Sequence, residues 1–132
     1  MPPRLLDTTL LIDYSINLPG AIALVRHLFG EGDDLLVCDA VVAEALSSGT
    51  SEERRTISNL IDAVEYVATD PGAAKWAGEA RRQRGATGPR TLGDALIAAV
   101  AWSFGATIVT RNPDDFLRMG VPVLAYEADV PA

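Results

Sequence analysis

Acidic side chains recur in this sequence where a strand-like segment gives way to a helix. Asp7 closes the segment RLLD, Asp94 lies in LGDALIAAVAW, and Asp115 follows Asn112 in TRNPDDF. Ligands of parallel α/β sheets bind outside the carboxyl ends of the strands, where Asp7 and Thr110 are expected to lie. A carboxylate in such a place either binds a cation or caps the next helix, and both interpretations are open for each residue taken alone.

The helix-capping alternative has support in the local sequence. The hydroxyls of Thr8 and Thr9 can orient the preceding carboxylate or cap the helix that follows. Thr91 and Asp94 have the spacing of a capping box, and Asn112 before a proline is a good N-cap. These residues alone therefore do not decide between a structural and a chemical role.

Glu44 lies in VVAEAL, where most of its neighbours are apolar. Burying an unpaired carboxylate is costly, so a lone glutamate here is expected on the solvated face of a helix. Only other acidic groups brought to the same place would give Glu44 a functional role.

Hydrophobic periodicity and turn residues predict the strands and helices on which these acidic residues lie. Strands are predicted at residues 4–7, 35–38, 65–68, 107–110 and 123–125. Helices are predicted at residues 9–15, 21–29, 40–48, 51 to about 62, 71–84 and 93–104, with one more helical turn after Pro113. Thr50 and Glu53 form a possible capping box, and Asp70 before Pro71 is a predicted N-cap. This alternation predicts the α/β class, with a parallel sheet between helices.

Composition sets the limits of the prediction. The chain has 132 residues, of which 48% are hydrophobic and 22% charged, so one globular domain over residues 1–132 is expected. A single cysteine, no apolar run of roughly 20 residues and no signal peptide predict a cytoplasmic protein outside the membrane. The net charge of −7 argues against nucleic acid as a partner unless several acidic residues converge on a cation.

The acidic segments taken together resemble a known family. LLDTTLLID, VVAEAL, LGDALIAAVA and TIVTRNPDDF occur in this order, as in PIN domains of the VapC type, the toxins of bacterial toxin–antitoxin pairs. The resemblance covers residues 4–123; residues 92–116 are its most specific part and the segment around Glu44 its least specific. It implies a three-layer α/β/α fold with a central parallel sheet and a Mg²⁺- or Mn²⁺-dependent endoribonuclease. It also implies a homodimer and an antitoxin partner of the VapB type.

The same resemblance assigns the site residues. It makes Asp7, Glu44, Asp94 and an acidic group of the last segment the catalytic, metal-binding carboxylates. After TR the family often has an aspartate, where this chain has Asn112. Asp115 is therefore predicted to take the fourth acidic role, with Asn112 as an accessory residue.

Electrostatics favours a cation at such a site. Like charges about 4 Å apart repel by roughly 4 kcal/mol at an effective dielectric near 20, so four converging carboxylates need a counterion. Oxygen ligands suit Mg²⁺ or Mn²⁺, whereas zinc prefers histidine and cysteine. His27 and Cys38 are too few for zinc and are expected on a helix surface and in the core.

The implied reaction is phosphodiester hydrolysis, in which the metal lowers the pKa of a water and stabilises the leaving oxygen. Thr9 and Thr110 are predicted to position water or phosphate through their hydroxyls. Arg84 and Arg90, which flank the loop before Asp94, are predicted to bind the RNA backbone, although a solvated helix face is the commoner meaning of such arginines.

Other classes of protein fit less well. A haloacid-dehalogenase-like phosphatase needs a second aspartate two residues after the first, where this chain has Thr9, and a receiver domain needs a lysine after a late strand. The only lysine is Lys75, and the chain contains no phosphate-binding loop or serine triad motif. One non-enzymatic alternative stays open because of Asn112: a PIN-like module with a degenerate site that binds RNA or a protein.

Overall fold

Five short parallel strands form the central sheet of the computed structural model, which describes residues 2–130. The strands are β1 (Arg4–Leu6), β2 (Leu35–Cys38), β3 (Glu65–Val67), β4 (Thr107–Thr110) and β5 (Val123–Ala125). Their order in the sheet is β3-β2-β1-β4-β5. Residues 1, 131 and 132 of the predicted domain lie outside the described residues.

Strand β1 lies at the centre of the sheet. Leu5 pairs in parallel with Leu36 of β2 on one side and with Ile108 of β4 on the other. From β1 the chain runs outward through β2 and β3, and it then returns to add β4 and β5 at the opposite edge of β1. The strand order therefore reverses between β1 and β4, which is where open α/β sheets form a ligand crevice at their carboxyl ends.

Seven helices among the described residues connect and cover the strands. They are α1 (Thr8–Ser15), α2 (Pro19–Gly30), α3 (Asp39–Ala45), α4 (Ser51–Asp62), α5 (Pro71–Arg84), α6 (Leu92–Phe104) and α7 (Asp114–Arg118). The predicted capping box is present: Glu53 N–H donates to Thr50 Oγ1 at 3.1 Å, and Thr50 N–H donates to Glu53 Oε1 at 3.1 Å. Asp70 is the N-cap of α5 and accepts from Ala73 N–H at 2.7 Å, also as predicted.

The hydrophobic core explains why these segments fold as they do. All four residues of β2 are buried, as expected for a parallel strand covered on both faces. Helix α6 has an unbroken buried run from Ile97 to Ala101, because it packs against α5, α3 and β4. Such a helix, apolar almost all the way round, is stable only inside a protein. It therefore fixes its own first turn, which carries Asp94, at the edge of the sheet.

The predicted boundaries differ from the structure at a few places. Asp7 follows β1 and occupies the N-cap position of α1, whereas it was expected to be the last strand residue. The predicted helix 40–48 ends at Ala45, and the predicted loop before α6 contains a 3₁₀ turn, Pro89–Thr91. The differences at Asp7 and at Ala45 affect the ends of elements, where backbone hydrogen bonds run out, whereas the 3₁₀ turn is an additional element.

No single helix within residues 2–130 is long and apolar enough to cross a membrane. Helices α1 and α2 meet the criteria of length and composition only as a pair, with a bend of 113° between them.

Candidate metal and nucleic-acid site

A cavity of about 480 Å³ lies at the carboxyl edge of the sheet. Side chains that follow β1 and β4, or that belong to α1, α3, α6 and α7, meet there, although they are far apart in sequence. The lining residues are Asp7, Thr8, Thr9, Glu44, Ser47, Asp94, Asn112, Asp115 and Phe116. The fold thus brings the four acidic residues and Asn112 of the sequence prediction to one cavity.

Asp7 is buried, with 4% of its surface exposed. Its Oδ2 accepts hydrogen bonds from Thr110 Oγ1 at 2.7 Å and from Thr9 Oγ1 at 3.1 Å, and its side chain makes no capping bond to α1. Burial raises the pKa of Asp7 above its ordinary value, while the two hydroxyls oppose this rise. Asp7 therefore occupies the N-cap position of α1, but its side chain does not cap the helix.

Asp94 is likewise not part of a capping box. Thr91 precedes α6, but its hydroxyl donates to the carbonyls of Ala86 at 2.8 Å and Gly88 at 2.9 Å and makes no cap to the helix. The capping-box interpretation of Thr91 and Asp94 is therefore wrong, because the turn that enters α6 uses the threonine hydroxyl itself.

The electrostatic state of Asp94 shows how closely the acidic groups converge. The pKa of Asp94 is raised to about 6, first by burial and then by the negative charges of Asp7, Asp115 and Glu44. The guanidinium of Arg84 acts in the opposite direction. A carboxyl group that feels three other carboxylates across one cavity is destabilised in its charged form, and a cation would relieve this.

Glu44 reaches the cavity from the exposed side of α3. Its Oε1 accepts from Thr8 Oγ1 at 2.7 Å. Its Oε2 lies against Gly93, where an added Cβ would be 2.2 Å away. Gly93 therefore makes the room in which the Glu44 carboxylate lies beside the start of α6.

Sequence reasoning gave Gly93 no role. A signal was present, since glycine in the first turn of an otherwise apolar helix lowers helix stability and needs another reason to be there.

Asp115 lies on α7, half exposed at the mouth of the cavity. Its Oδ1 is 3.5 Å from Arg84 Nη2 and 3.5 Å from Arg118 Nη1. The N-cap of α7 is Pro113, so the alternative prediction that Asn112 caps this helix is wrong. The Asn112 N–H donates to Thr110 Oγ1 at 3.0 Å, which holds this residue beside β4 and the cavity.

The two predicted RNA-binding arginines lie in different surroundings. Arg84 ends α5 with a quarter of its side chain exposed and is ion-paired to Asp115. Arg90 is exposed on the 3₁₀ turn and is not among the residues that line the cavity.

The donor set decides which ion fits. In the positions that the structure gives residues 2–130, no three Asp, Glu, His or Cys side chains are arranged to hold an ion together. The reason is visible in two groups: Glu44 is turned toward Thr8, and Asp115 toward its arginines. Four carboxylates line one cavity, and such oxygen ligands suit a hard cation.

A zinc site is not supported by the described residues. His27 is exposed on α2, 3.6 Å from Glu31. Cys38 is buried at the end of β2, and burial raises the pKa of its thiol to about 11. Both residues lie where the sequence placed them, one on a helix surface and one in the core.

Sequence reasoning missed a second polar cluster beside the cavity. Asp13 of α1 is buried, with 2% of its surface exposed, and pairs with Arg111 and Tyr126. The signal was a charged residue in the apolar run LLID, since a buried carboxylate needs a partner. The sequence gives no indication of which residues that partner would be.

Comparisons with known proteins agree with this architecture. The family model described as PIN domain matches residues 4–122. The chain is 31% identical over 118 residues to Ribonuclease VapC11 of Mycobacterium tuberculosis, covering 83% of this chain and 87% of that protein. It is 28% identical over 114 residues to Ribonuclease VapC19 of the same species, covering 86% of this chain and 91% of the relative.

A solved structure gives the same picture of the fold. The crystal structure of VapBC2 from Rickettsia felis bound to a promoter DNA fragment matches with a TM-score of 0.76 and 20% identity, covering 94% of this chain and 98% of that one. This likeness confirms the predicted PIN-like α/β/α class with a central parallel sheet. The family match over most of the chain confirms the resemblance drawn from the four acidic segments, and the chain belongs to the PIN-domain family.

Proposed function

We propose that this chain is a metal-dependent endoribonuclease of the VapC type, the toxin component of a type II toxin–antitoxin pair, which works in the cytoplasm. The observation that carries the proposal is the convergence of four carboxylates on one cavity at the carboxyl edge of a PIN-domain sheet. The ribonuclease names of two relatives support the reaction class.

Asp7 and Asp94 are the principal ligands in this proposal, because they are the least exposed of the four carboxylates. Glu44 and Asp115 complete the set after turning inward from the partners they now contact. Asn112 supplies an uncharged oxygen where a further aspartate would raise the repulsion. Mg²⁺ or Mn²⁺ suits these ligands, and such an ion supplies a water of lowered pKa and neutralises charge on the phosphate.

The remaining residues hold the Asp7 carboxylate or contact the substrate. Thr9 and Thr110 hold the Asp7 carboxylate, and Thr9 also lines the cavity. Arg84, beside Asp115 at the cavity mouth, is placed to contact a phosphate of the RNA backbone, with Arg90 further along the same loop. Backbone contacts of this kind position an RNA without selecting its sequence.

The proposed partners follow from the family and from the charge of the cavity. A VapB-type antitoxin is proposed to cover the site with its C-terminal segment and to insert an arginine or lysine among the carboxylates. A guanidinium can pair with a carboxylate through two hydrogen bonds in such a site. The chain is also proposed to form a homodimer.

The test of the function is cleavage of RNA by the purified chain. We expect cleavage with Mg²⁺ or Mn²⁺ and none with EDTA, while an Asp94→Asn variant purified in parallel controls for contaminating nuclease. Cleavage that persists in EDTA would refute the metal-dependent mechanism.

A second candidate function rests on Asn112, which replaces the aspartate often found in the family. A PIN-like module with a degenerate site would bind RNA or a protein without cutting it. Metal-dependent binding of RNA with no cleavage by the wild-type chain would favour this alternative.

A further inference from the structure

An ion-pair cluster around the buried Asp13 lies next to the acidic cavity, since its Arg111 directly precedes Asn112, which lines that cavity. Asp13 comes from α1, Arg111 follows β4, and Tyr126 follows β5. We propose that Asp13 is a positioning residue that holds Arg111, and through its backbone the two hydroxyls that orient the Asp7 carboxylate. This inference rests on the proposed function only in taking Asp7 as a ligand of a divalent cation.

Three hydrogen bonds hold the Asp13 carboxylate in place. Arg111 donates to Asp13 twice, from Nε at 2.7 Å and from Nη2 at 3.2 Å, and Tyr126 Oη donates to Asp13 Oδ2 at 2.7 Å. The Asp13 side chain is 3% exposed, whereas that of Arg111 is 44% exposed. A paired arginine fork fixes an orientation as well as a distance, which a single contact does not do.

Asp13 is buried, so without Arg111 its charge would lack a counterion, and this favours the paired arrangement. The preference is increased by the tyrosine. Tyr126 Oη donates to Asp13, and burial and this contact raise the pKa of Tyr126 further above neutral pH. Asp13 is therefore held from two sides, and the backbone at Arg111 is held with it.

The link to Asp7 runs through two backbone amides. Arg111 N–H donates to Thr9 Oγ1 at 3.2 Å, and Asn112 N–H donates to Thr110 Oγ1 at 3.0 Å. Each of these hydroxyls in turn donates to Asp7 Oδ2.

A hydroxyl that accepts an amide proton from one side directs its own proton to the other. The backbone at residues 111 and 112 thus sets the direction in which both hydroxyls point, and Asp7 receives both. Groups that hold a metal-binding side chain in this manner commonly change metal affinity 10- to 100-fold when they are removed.

The same cluster explains a feature of the sequence that the reaction itself does not use. The chain places an arginine directly between Thr110, which contacts Asp7, and Asn112, which lines the cavity. The Arg111 side chain pairs with Asp13 and is not among the residues that line the cavity, so its role there is to hold the backbone.

The experiment measures Mn²⁺ binding by electron paramagnetic resonance, with the metal as the only ligand. The variants are Asp13→Asn and Arg111→Lys, and the matched control is Asp33→Asn. Asp33 pairs with Arg4 at 3.6 Å and its side chain is 8% exposed, but it lies at the opposite end of β1. Unfolding by urea is measured for each variant, so that a loss of metal affinity is read only from folded protein.

We expect the Kd for Mn²⁺ to rise at least about 10-fold in Asp13→Asn and Arg111→Lys and to stay unchanged in Asp33→Asn. In EDTA, the amide of Asn112 is expected to exchange its hydrogen faster in the first two variants only. A merely structural ion pair would lower stability in all three variants alike and would leave Mn²⁺ affinity unchanged.

Folded Asp13→Asn and Arg111→Lys proteins that bind Mn²⁺ as tightly as the wild type would overturn the inference. If Asp13→Asn does not fold, Arg111→Lys decides alone, since lysine leaves a cation beside Asp13 but cannot form both hydrogen bonds. A wild-type chain that binds no Mn²⁺ would overturn the proposed metal site, and this inference with it.

Discussion

Asp94→Asn is expected to make the metal-free protein more stable while abolishing its metal-dependent cleavage. The asparagine is nearly the same size, and it removes one charge from a group of carboxylates that repel each other. An ordinary stabilising residue would behave in the opposite way, so this variant separates a ligand from a structural cap.

The magnitude follows from the pKa of Asp94, which is raised from 3.8 to about 6. A rise of this size corresponds to about 3 kcal/mol, and screening by solvent at this half-buried group reduces it to about 1 kcal/mol. The folded protein binds more protons than the unfolded chain between these two pKa values. The contribution of Asp94 to stability is therefore present below pH 3.8 and is lost as the pH rises to about 6.

The assay is urea unfolding at pH 4 and pH 7.5, in EDTA and in excess Mn²⁺. In EDTA, Asp94→Asn should exceed the wild type by about 1 kcal/mol at pH 7.5 and by much less at pH 4. Mn²⁺ at about 100 times its Kd should stabilise the wild type by about 2.7 kcal/mol and the variant by less.

The control for this variant is Asp34→Asn, which removes an exposed carboxylate at the other end of the sheet. It should show neither the pH-dependent gain nor the reduced effect of Mn²⁺. The reasoning is refuted if Asp94→Asn is less stable than the wild type at pH 7.5, or if its gain in stability is the same at both pH values.

Gly93→Ala should reduce cleavage at least about 10-fold, because a Cβ there meets the Glu44 carboxylate. The control Gly78→Ala has open space around it, so it should cleave RNA normally and raise the free energy of unfolding by about 0.5 to 1 kcal/mol. Arg84→Gln should weaken RNA binding and lower the slope of its salt dependence by about one charge, whereas Arg82→Gln on the exposed face of the same helix should change neither. Equal salt slopes for the two variants would show that Arg84 does not contact the RNA backbone. Light scattering at micromolar concentration should give the mass of a dimer, and a monomer mass would contradict the proposed assembly. Replacing the basic residues of the antitoxin's C-terminal segment with alanine should restore cleavage more than it weakens the complex, and full inhibition by such an antitoxin would refute cavity insertion.

Much of the fold could be predicted because local signals and tertiary structure agree. The strands of residues 35–38, 107–110 and 123–125 have the predicted bounds, and capping residues marked the starts of α4 and α5. At the end of α3, where the predicted helix runs three residues beyond Ala45, no cap or glycine marks the boundary. The sheet order was set by contacts between distant segments, which hydrophobic periodicity does not contain.

The sequence predicted which acidic residues lie together at one cavity, but not how they are arranged there, and their role as metal ligands stays a prediction. The sequence pattern predicts that Asp7 and Asp94 lie at the ends of a strand and a helix. The family resemblance added Glu44 and Asp115 as further candidate metal ligands. Nothing in the sequence shows that Glu44 rests against Gly93 or that Asp115 is paired with arginines, since both contacts depend on the packing of α3 and α7 beside α6.

The position of β1 in the sheet has a consequence for synthesis on the ribosome. Its carboxyl end is completed by β4, since the hydroxyl of Thr110 reaches Asp7 across 103 residues of sequence. A nascent chain that stops before β4 lacks the neighbour strand, the positioning hydroxyl and Asp115 together. Contacts this distant in sequence form late in folding. The enzyme is therefore expected to remain inactive until the segment that carries β4 and Asp115 has left the exit tunnel, so that a product truncated before it does not attack RNA beside the ribosome that made it.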